Sequence, residues 1–161
     1  HVHLRRQRQM CIRDRHKAQA DAREGMEKIA SPIKFKKYLE EQMETLKMDP
    51  SFAERPLNQG FSGGEKKKAE ILQLKILQPE LALLDETDSG LDVDALKIVA
   101  QGVNDQRTAN DQFSALLVTH YARILEYIEP DHVHVMVNGQ IVQSGGPEFA
   151  KELEAGGYEK Y

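Results

Sequence analysis

A single cysteine in 161 residues leaves no second thiol, so no intrachain disulfide can form; that usage suits an intracellular, cytoplasmic setting. No apolar run approaches the roughly 20 residues of a membrane-crossing helix, so direct membrane insertion is not expected. The formal net charge of −4 gives no pull toward nucleic acid or an anionic membrane. The dipeptide Gly-Lys occurs nowhere, which removes the phosphate loop G-x-x-x-x-G-K-[ST] from these residues. What remains is ordinary for a globular chain. Apolar residues make up 40% and charged residues 30%, and the length suits one domain with a real core.

The informative stretch runs from Phe61 to Asp92. Ser62-Gly63-Gly64-Glu65 is a capping-box pattern placed just before the apolar positions Ala69, Leu72 and Ile76. It predicts a helix from Gly63 to about Gln78. Two glycines in the first turn leave backbone N–H groups open, and with the helix dipole these favour an anion. Taken alone, the same pattern is a capped helix that binds nothing. Pro79 stops the helix. Leu81-Ala82-Leu83-Leu84 then reads as a strand buried on both faces, as in a parallel sheet, and Asp85-Glu86 closes it. Ligands bind beyond the carboxyl ends of such strands. Neighbouring residues on a strand point to opposite sides, so the two carboxylates can do different jobs, one at a metal ion and one at a water. The plain alternative is a solvated acidic strand end. Asp88-Ser89-Gly90-Leu91-Asp92 is locally a turn followed by a helix cap.

Before this stretch, residues 17–30 read as a weak helix interrupted by Gly25. Ser31-Pro32 starts another, whose stripe Phe35, Leu39, Met43 and Leu46 faces a core. Lys66, Lys67 and Lys68 read mainly as a solvated face, with one of them available to a phosphate or a partner carboxylate. After it, a helix is predicted over 92–107, and Ser114 to Thr119 is a short strand that delivers His120. Tyr121 to Ile128 reads as a helix. Val133 to Val137 and Gln140 to Ser144 flank Asn138-Gly139, a strong hairpin signal that would close the sheet. His132 and His134 share a strand face; imidazoles of an edge strand are preferred over a metal pair. Pro147 opens a last helix, capped at Gly156-Gly157.

Residues 1–16 differ from the rest. Five arginines fall between Leu4 and Arg15 and the only acid is Asp14. The segment has no serine for a transit peptide and no aromatics for base stacking. It is read as a non-native or disordered basic piece. A metal site at His1, His3 and Cys11 is disfavoured for want of a folded support.

Four elements together carry a resemblance. Phe61 to Glu65 resembles the signature motif of ATP-binding-cassette (ABC) ATPases and Leu81 to Glu86 their Walker B strand. Ser89 to Asp92 resembles their D-loop, and Thr119-His120 their switch histidine. The order and spacing are specific, with 24 residues from Ser62 to Glu86 and 34 from Glu86 to His120. The likeness covers about residues 24–161. Within the class the chain resembles the SufC branch, the ATPase subunits of the Suf iron–sulfur cluster assembly system. That rests on Asn58 to Lys67, on Asp85 to Leu96, on Val118-Thr119-His120-Tyr121 with Arg123-Ile124-Leu125, and on Pro130 to Val135.

The resemblance implies an α/β fold: the C-terminal part of an ABC ATPase domain, a P-loop NTPase fold lacking its P-loop strand. Residues 17–78 would be part of the helical subdomain and 79–161 the C-terminal part of the α/β core. It also implies ATP and Mg²⁺ as ligands and a head-to-tail pair of ATPase subunits with ATP between them. Asp85 would orient Mg²⁺, Glu86 would activate the attacking water, and His120 would bond the γ-phosphate. Ser62, Gly63, Gly64 and Glu65 would serve the nucleotide of the other subunit, and the turn Ser89, Gly90, Leu91 and Asp92 would couple the two sites. The implied partners are the scaffold proteins SufB and SufD. Because the family carries its phosphate loop upstream of the signature, these 161 residues are expected to be inactive alone. The rival expectations are the nucleotide-binding subunit of a membrane transporter and a non-catalytic interaction fragment.

Overall fold

The computed structural model describes residues 2–24, 26–29, 31–54 and 60–157. Helix α1 spans Val2–Ala22, α2 Pro32–Thr45 and α3 Gly63–Leu77, with a 3₁₀ turn at Pro50–Glu54 between the last two. Strand β1 (Leu81–Asp85), helix α4 (Val93–Ala109) and strand β2 (Ser114–Val118) follow. A second 3₁₀ turn (Ala122–Glu126), strands β3 (Val133–Val137) and β4 (Gln140–Gly145), and helix α5 (Pro147–Gly156) complete the order.

The helix ends are set by local chemistry. Ser31 caps α2 through its side chain, with Pro32 in the first turn. Gln78 closes α3 in the left-handed region at φ 44°, just ahead of Pro79. Asp92 Oδ1 accepts the Ala95 N–H at 2.7 Å and caps α4. Asn138 and Gly139 both take positive φ, 50° and 77°, as a two-residue hairpin turn matched to strand twist requires.

Strands β1 and β2 pair in parallel, from Leu81 opposite Ser114 to Asp85 opposite Val118. The hairpin β3–β4 is antiparallel and forms its own two-stranded sheet among the described residues, so it does not close the first sheet as expected. One core gathers Phe35, Leu39, Met43 and Leu46 from α2, Ile71, Leu72 and Ile76 from α3, Ala82 from β1 and Leu96, Val99 and Val103 from α4. The helical part and the α/β part thus share one interior. A smaller cluster of Val135, Phe149 and Leu153 fixes α5 to the hairpin.

Two expectations need correcting. Strand β1 is covered on one face only: Ala82 is buried, whereas Leu81 and Leu83 are 59% and 70% exposed beside Leu116 and Val118 of β2. The apolar run was read as burial on both sides, but periodicity alone does not say which elements are present to cover a strand. Second, 121–128 forms a 3₁₀ turn over Ala122–Glu126 in place of a helix. Helix α1 runs across residue 16, and the ring of His16 packs on Phe35 and Tyr38. Its run of Arg, Gln, Lys, Met and Ala favours helix strongly, which outweighs the mismatch in composition. Arg23 ties the end of α1 to the Gln78 carbonyl and pairs with Glu80 at 3.2 Å. His1, His3 and Cys11 lie outside the described side chains.

Candidate functional site

The parallel pair β1–β2 delivers two loops to its carboxyl end. Glu86 lies one residue past β1, not within it. Its N–H donates to the Val118 carbonyl at 2.9 Å, extending the ladder by one bond, while φ turns to +46°. A non-glycine residue in this region is strained and is held only by its surroundings. The turn, and not strand alternation, therefore separates Glu86 from Asp85. From β2 the chain passes through Thr119 to His120, whose Nε2–H donates to Glu86 Oε1 at 2.9 Å. Both side chains are open to solvent, 46% exposed for Glu86 and 71% for His120. Asp85, exposed at the strand end, stands next in the chain.

The Ser62 turn forms as a complete capping box. Ser62 Oγ accepts the Glu65 N–H at 3.3 Å and Glu65 Oε2 accepts the Ser62 N–H at 2.7 Å. Ser62 and Gly63 are exposed. A Cβ built on Gly63 would meet nothing within 4 Å, and one on Gly64 only Leu91 Cδ2 at 3.9 Å. Neither glycine is demanded by the chain's own packing. Phe61 stacks edge-on against Phe52, with ring centres 4.7 Å apart. Asn58, with 55–59, lies outside the described residues. Of the three lysines, Lys67 pairs with Glu70 at 3.4 Å and Lys68 reaches the Lys47 carbonyl at 3.4 Å.

The turn 88–92 lies between these two places. Ser89 and Gly90 are exposed, and Gly90 takes φ 71°, where a side chain would be strained. Leu91 is buried against the start of α3, and Asp92 caps α4. Sequence reasoning passed over two features here. Thr87 and Asp88 are almost fully buried, at 2% and 4% exposure. Thr119 and Arg123 both reach back to this turn, Thr119 to Asp88 and Arg123 to the Leu91 carbonyl. Polar residues in a Gly-containing turn read as exposed, and nothing local signals a partner about thirty residues away.

Among the described residues no cluster of three or more His, Cys, Asp or Glu is placed to hold a metal ion. His134 Nδ1 instead bonds the hydroxyl of Ser144 at 2.7 Å across the hairpin. The chemistry of Asp85 still suits Mg²⁺, which binds through one or two carboxylates and takes its remaining ligands from water and substrate phosphates. Among the described residues no helix is long and apolar enough to cross a membrane.

An exposed helix start at Ser62-Gly63 and an acid–histidine pair at the carboxyl end of a parallel strand pair mark this as part of an α/β domain of the open, ligand-binding kind. Residues 1–89 match the family described as ABC transporter, and the chain belongs to that family. The relative named "Probable ATP-dependent transporter ycf16" of Cyanophora paradoxa is 54% identical over 84% of this chain and 51% of its own length. "Vegetative protein 296" of Bacillus subtilis is 57% identical over 80% of this chain and 49% of its own. Among solved structures, an ATP-binding cassette of an ABC transporter superposes with a TM-score of 0.59 at 22% identity, covering 90% of this chain and 59% of that one. The fold is therefore part of the ABC ATPase domain, and the chain spans about half the length of the curated relatives it matches.

Proposed function

We propose that these residues supply two separate half-sites for ATP hydrolysis, each completed by another copy of the domain. The observation that carries this reading is the Glu86–His120 contact at the carboxyl end of β1–β2. It supports the reading because a carboxylate and an imidazole meet beyond the carboxyl ends of parallel strands, the side on which such sheets bind ligands. The Ser62 turn is the other half. Its open amides and helix dipole suit an anion, and the empty space around Gly63 suits approach from outside the chain.

In this reading Asp85 holds Mg²⁺, which when bound neutralises phosphate charge. Glu86 orients the attacking water and accepts its proton, and His120 donates to the γ-phosphate. His120 also donates to Glu86, so bonding the γ-phosphate would compete with that contact. Phosphoryl transfer is mostly positioning and charge stabilisation, so each positioned group matters. Ser62, Gly63, Gly64 and Glu65 serve the nucleotide of the opposite subunit, and Ser89 to Asp92 link the sites. Residues 17–78 belong to the helical subdomain and 79–161 to the α/β core. The phosphate loop comes from outside these 161 residues.

Within the family we assign the chain to the SufC-like branch, a cytoplasmic motor acting on a SufB/SufD scaffold. The support is the run Asp85-Glu86-Thr87-Asp88-Ser89-Gly90 with Tyr121 after the histidine. The names of relatives, such as "Probable ATP-dependent transporter ycf16", favour a second reading, the ATPase subunit of a membrane transporter. Affinity capture on SufB and SufD against capture on a permease separates the two. For the site itself the test is Glu86→Gln in a protein containing both this chain and a phosphate loop. ATP should still bind while turnover falls at least ~10²-fold. Near-normal turnover would remove Glu86 from the chemistry.

A further inference from the structure

We propose that the loop presenting His120 is latched at two points to the turn 88–92 of the same chain, and that Asp88, Thr119 and Arg123 are positioning residues that set where His120 meets Glu86. The latch stands on geometry alone; its kinetic consequence rests on the ATPase reading above.

The first arm is Thr119. Its single hydroxyl proton has two acceptors in reach, Asp88 Oδ2 at 2.6 Å and the Tyr121 carbonyl at 3.1 Å. The shorter contact is to a carboxylate, and charge-assisted bonds are the stronger ones, so the proton goes to Asp88. The same oxygen accepts the Tyr121 N–H at 2.9 Å. Thr119 Oγ1 therefore clips the backbone on the far side of His120 to a buried carboxylate in the turn. The second oxygen of Asp88, Oδ1, is buried and meets no donor among the described residues. A buried carboxylate oxygen without a donor is costly, which raises the weight of the Thr119 bond to the other oxygen.

The second arm is Arg123, whose guanidinium donates to the Leu91 carbonyl at 3.1 Å. Leu91 is buried and its Cδ2 lies 3.9 Å from where a side chain on Gly64 would begin. The two arms leave the histidine loop on either side of His120 and land three residues apart on the turn. Between the strand and that turn sits Glu86 in left-handed backbone, its carbonyl accepting the Ser89 N–H at 3.1 Å.

The Glu86–His120 contact cannot hold this register by itself, because a solvent-exposed pair contributes little. The latch can, since one arm lands on the buried Asp88 carboxylate and both span more than thirty residues of sequence. Any displacement of the turn 88–92, for example by an approaching second subunit, is then carried to His120 within the same protomer. Direct contact of His120 with the Ser62 turn is not needed for that.

The test has two arms of its own. In the 161-residue chain, amide exchange at Ser89 and Leu91 should rise about 10-fold or more in Thr119→Val and in Arg123→Ala, with α3 and α4 amides unchanged. Thr119→Ser, which keeps the hydroxyl, should restore parent exchange. Arg123→Ala is the variant to rely on if Thr119→Val does not fold, since Arg123 is a surface residue. Unaltered exchange in both variants would overturn the latch. In the protein that also contains a phosphate loop, Thr119→Val should lower kcat about 10-fold with little change in KM for ATP, and Thr119→Ser should recover it. A faster-exchanging turn with unchanged kcat would overturn the positioning role. Absence of turnover in the parent as well would reject the ATPase reading and leave the exchange result to decide the latch.

Discussion

Three helical glycines offer a sharp test of what the Ser62 turn is for. Gly63 and Gly64 occupy the first turn of α3, and Gly102 lies inside α4. None has positive φ, so backbone strain requires none of them. Alanine in a helix is favoured over glycine by roughly 0.5–1 kcal/mol. At Gly63 a methyl would meet nothing within 4 Å, so that gain is kept whole. For a chain of this length 1 kcal/mol moves Tm by about 2–4 °C, and Gly63→Ala should raise it by about 1–4 °C. At Gly102 the added Cβ would collide with Ile71 Cγ2, and α3 and α4 would have to part. Overpacking costs about 1–3 kcal/mol, which outweighs the helix gain, so Gly102→Ala should lower Tm by a few degrees. Melting by circular dichroism of the 161-residue chain reads both. In the protein with a phosphate loop, Gly63→Ala should nevertheless lose at least ~10²-fold in turnover if, as proposed, an opposite subunit's phosphate approaches this turn. A variant that is more stable and fully active would refute the half-site reading. One that melts early would show that Gly63 serves the chain's own packing.

Two further outcomes concern stability. His16 is 2% exposed among Phe35 and Tyr38. Burial holds its pKa below the ordinary 6.5, with Glu27 pushing the other way by less. A lowered base means that the unfolded chain binds more protons once the pH falls through 6.5, so stability is full above that value and declines below it. Tm should fall between pH 7.5 and 5.5, and His16→Phe should flatten that slope; equal slopes would exclude His16 as the cause. Lys75 joins three helices, bonding Asp105 at 2.8 Å and Thr45 at 3.0 Å with its side chain 8% exposed. Lys75→Ala should cost about 2 kcal/mol in urea denaturation, below the usual 3–5 for a buried pair because Asp105 is itself 39% exposed. Lys75→Met, which keeps the stem packed, should cost less. Burial pushes the Asp105 carboxyl up, but bonds from Lys75 and Gln101 together with the Lys75 charge hold it below its usual range. Its contribution is therefore present at neutral pH and lost as acid titrates it. Lys75→Met should remove that acid sensitivity, and an unchanged acid limb would count against the pairing.

What could be read from sequence was what is decided within a few residues. Ser62 and Glu65 satisfy each other across three positions, so the capping box needs no help from the rest of the chain. The same holds for Asn138-Gly139, whose two positive φ angles make a tight hairpin turn from any flanking strands. The stripe Phe35, Leu39, Met43 and Leu46 was legible because each of the four faces one core. Features set by distant partners were not legible. Glu86 enters the left-handed region because Val118 and Ser89 fix its backbone groups, and neither bond is written in the sequence around it. The segment after His120 has helical apolar spacing but tightens to a 3₁₀ turn, where Arg123 reaches the Leu91 carbonyl.

The same division explains where the chemistry sits. Residues with strong local signals build the rigid parts: the start of α3, the cap of α4 and the hairpin. The candidate site is built where local preference loses, at a strained Glu86, a buried Asp88 and an exposed histidine held by its neighbours. Strained or buried polar groups persist only when surrounding contacts over-determine them. Here those contacts form one continuous line through a single chain. Leu91 packs beside Gly64 at the start of α3, Arg123 holds the Leu91 carbonyl, Thr119 holds Asp88, and His120 between them meets Glu86. A subunit docking on the exposed Ser62 turn would act on Leu91 through the start of α3, against which it packs. The Glu86–His120 bond, exposed and weakest in the line, is the contact such pressure would break, which would free both side chains for the roles proposed above.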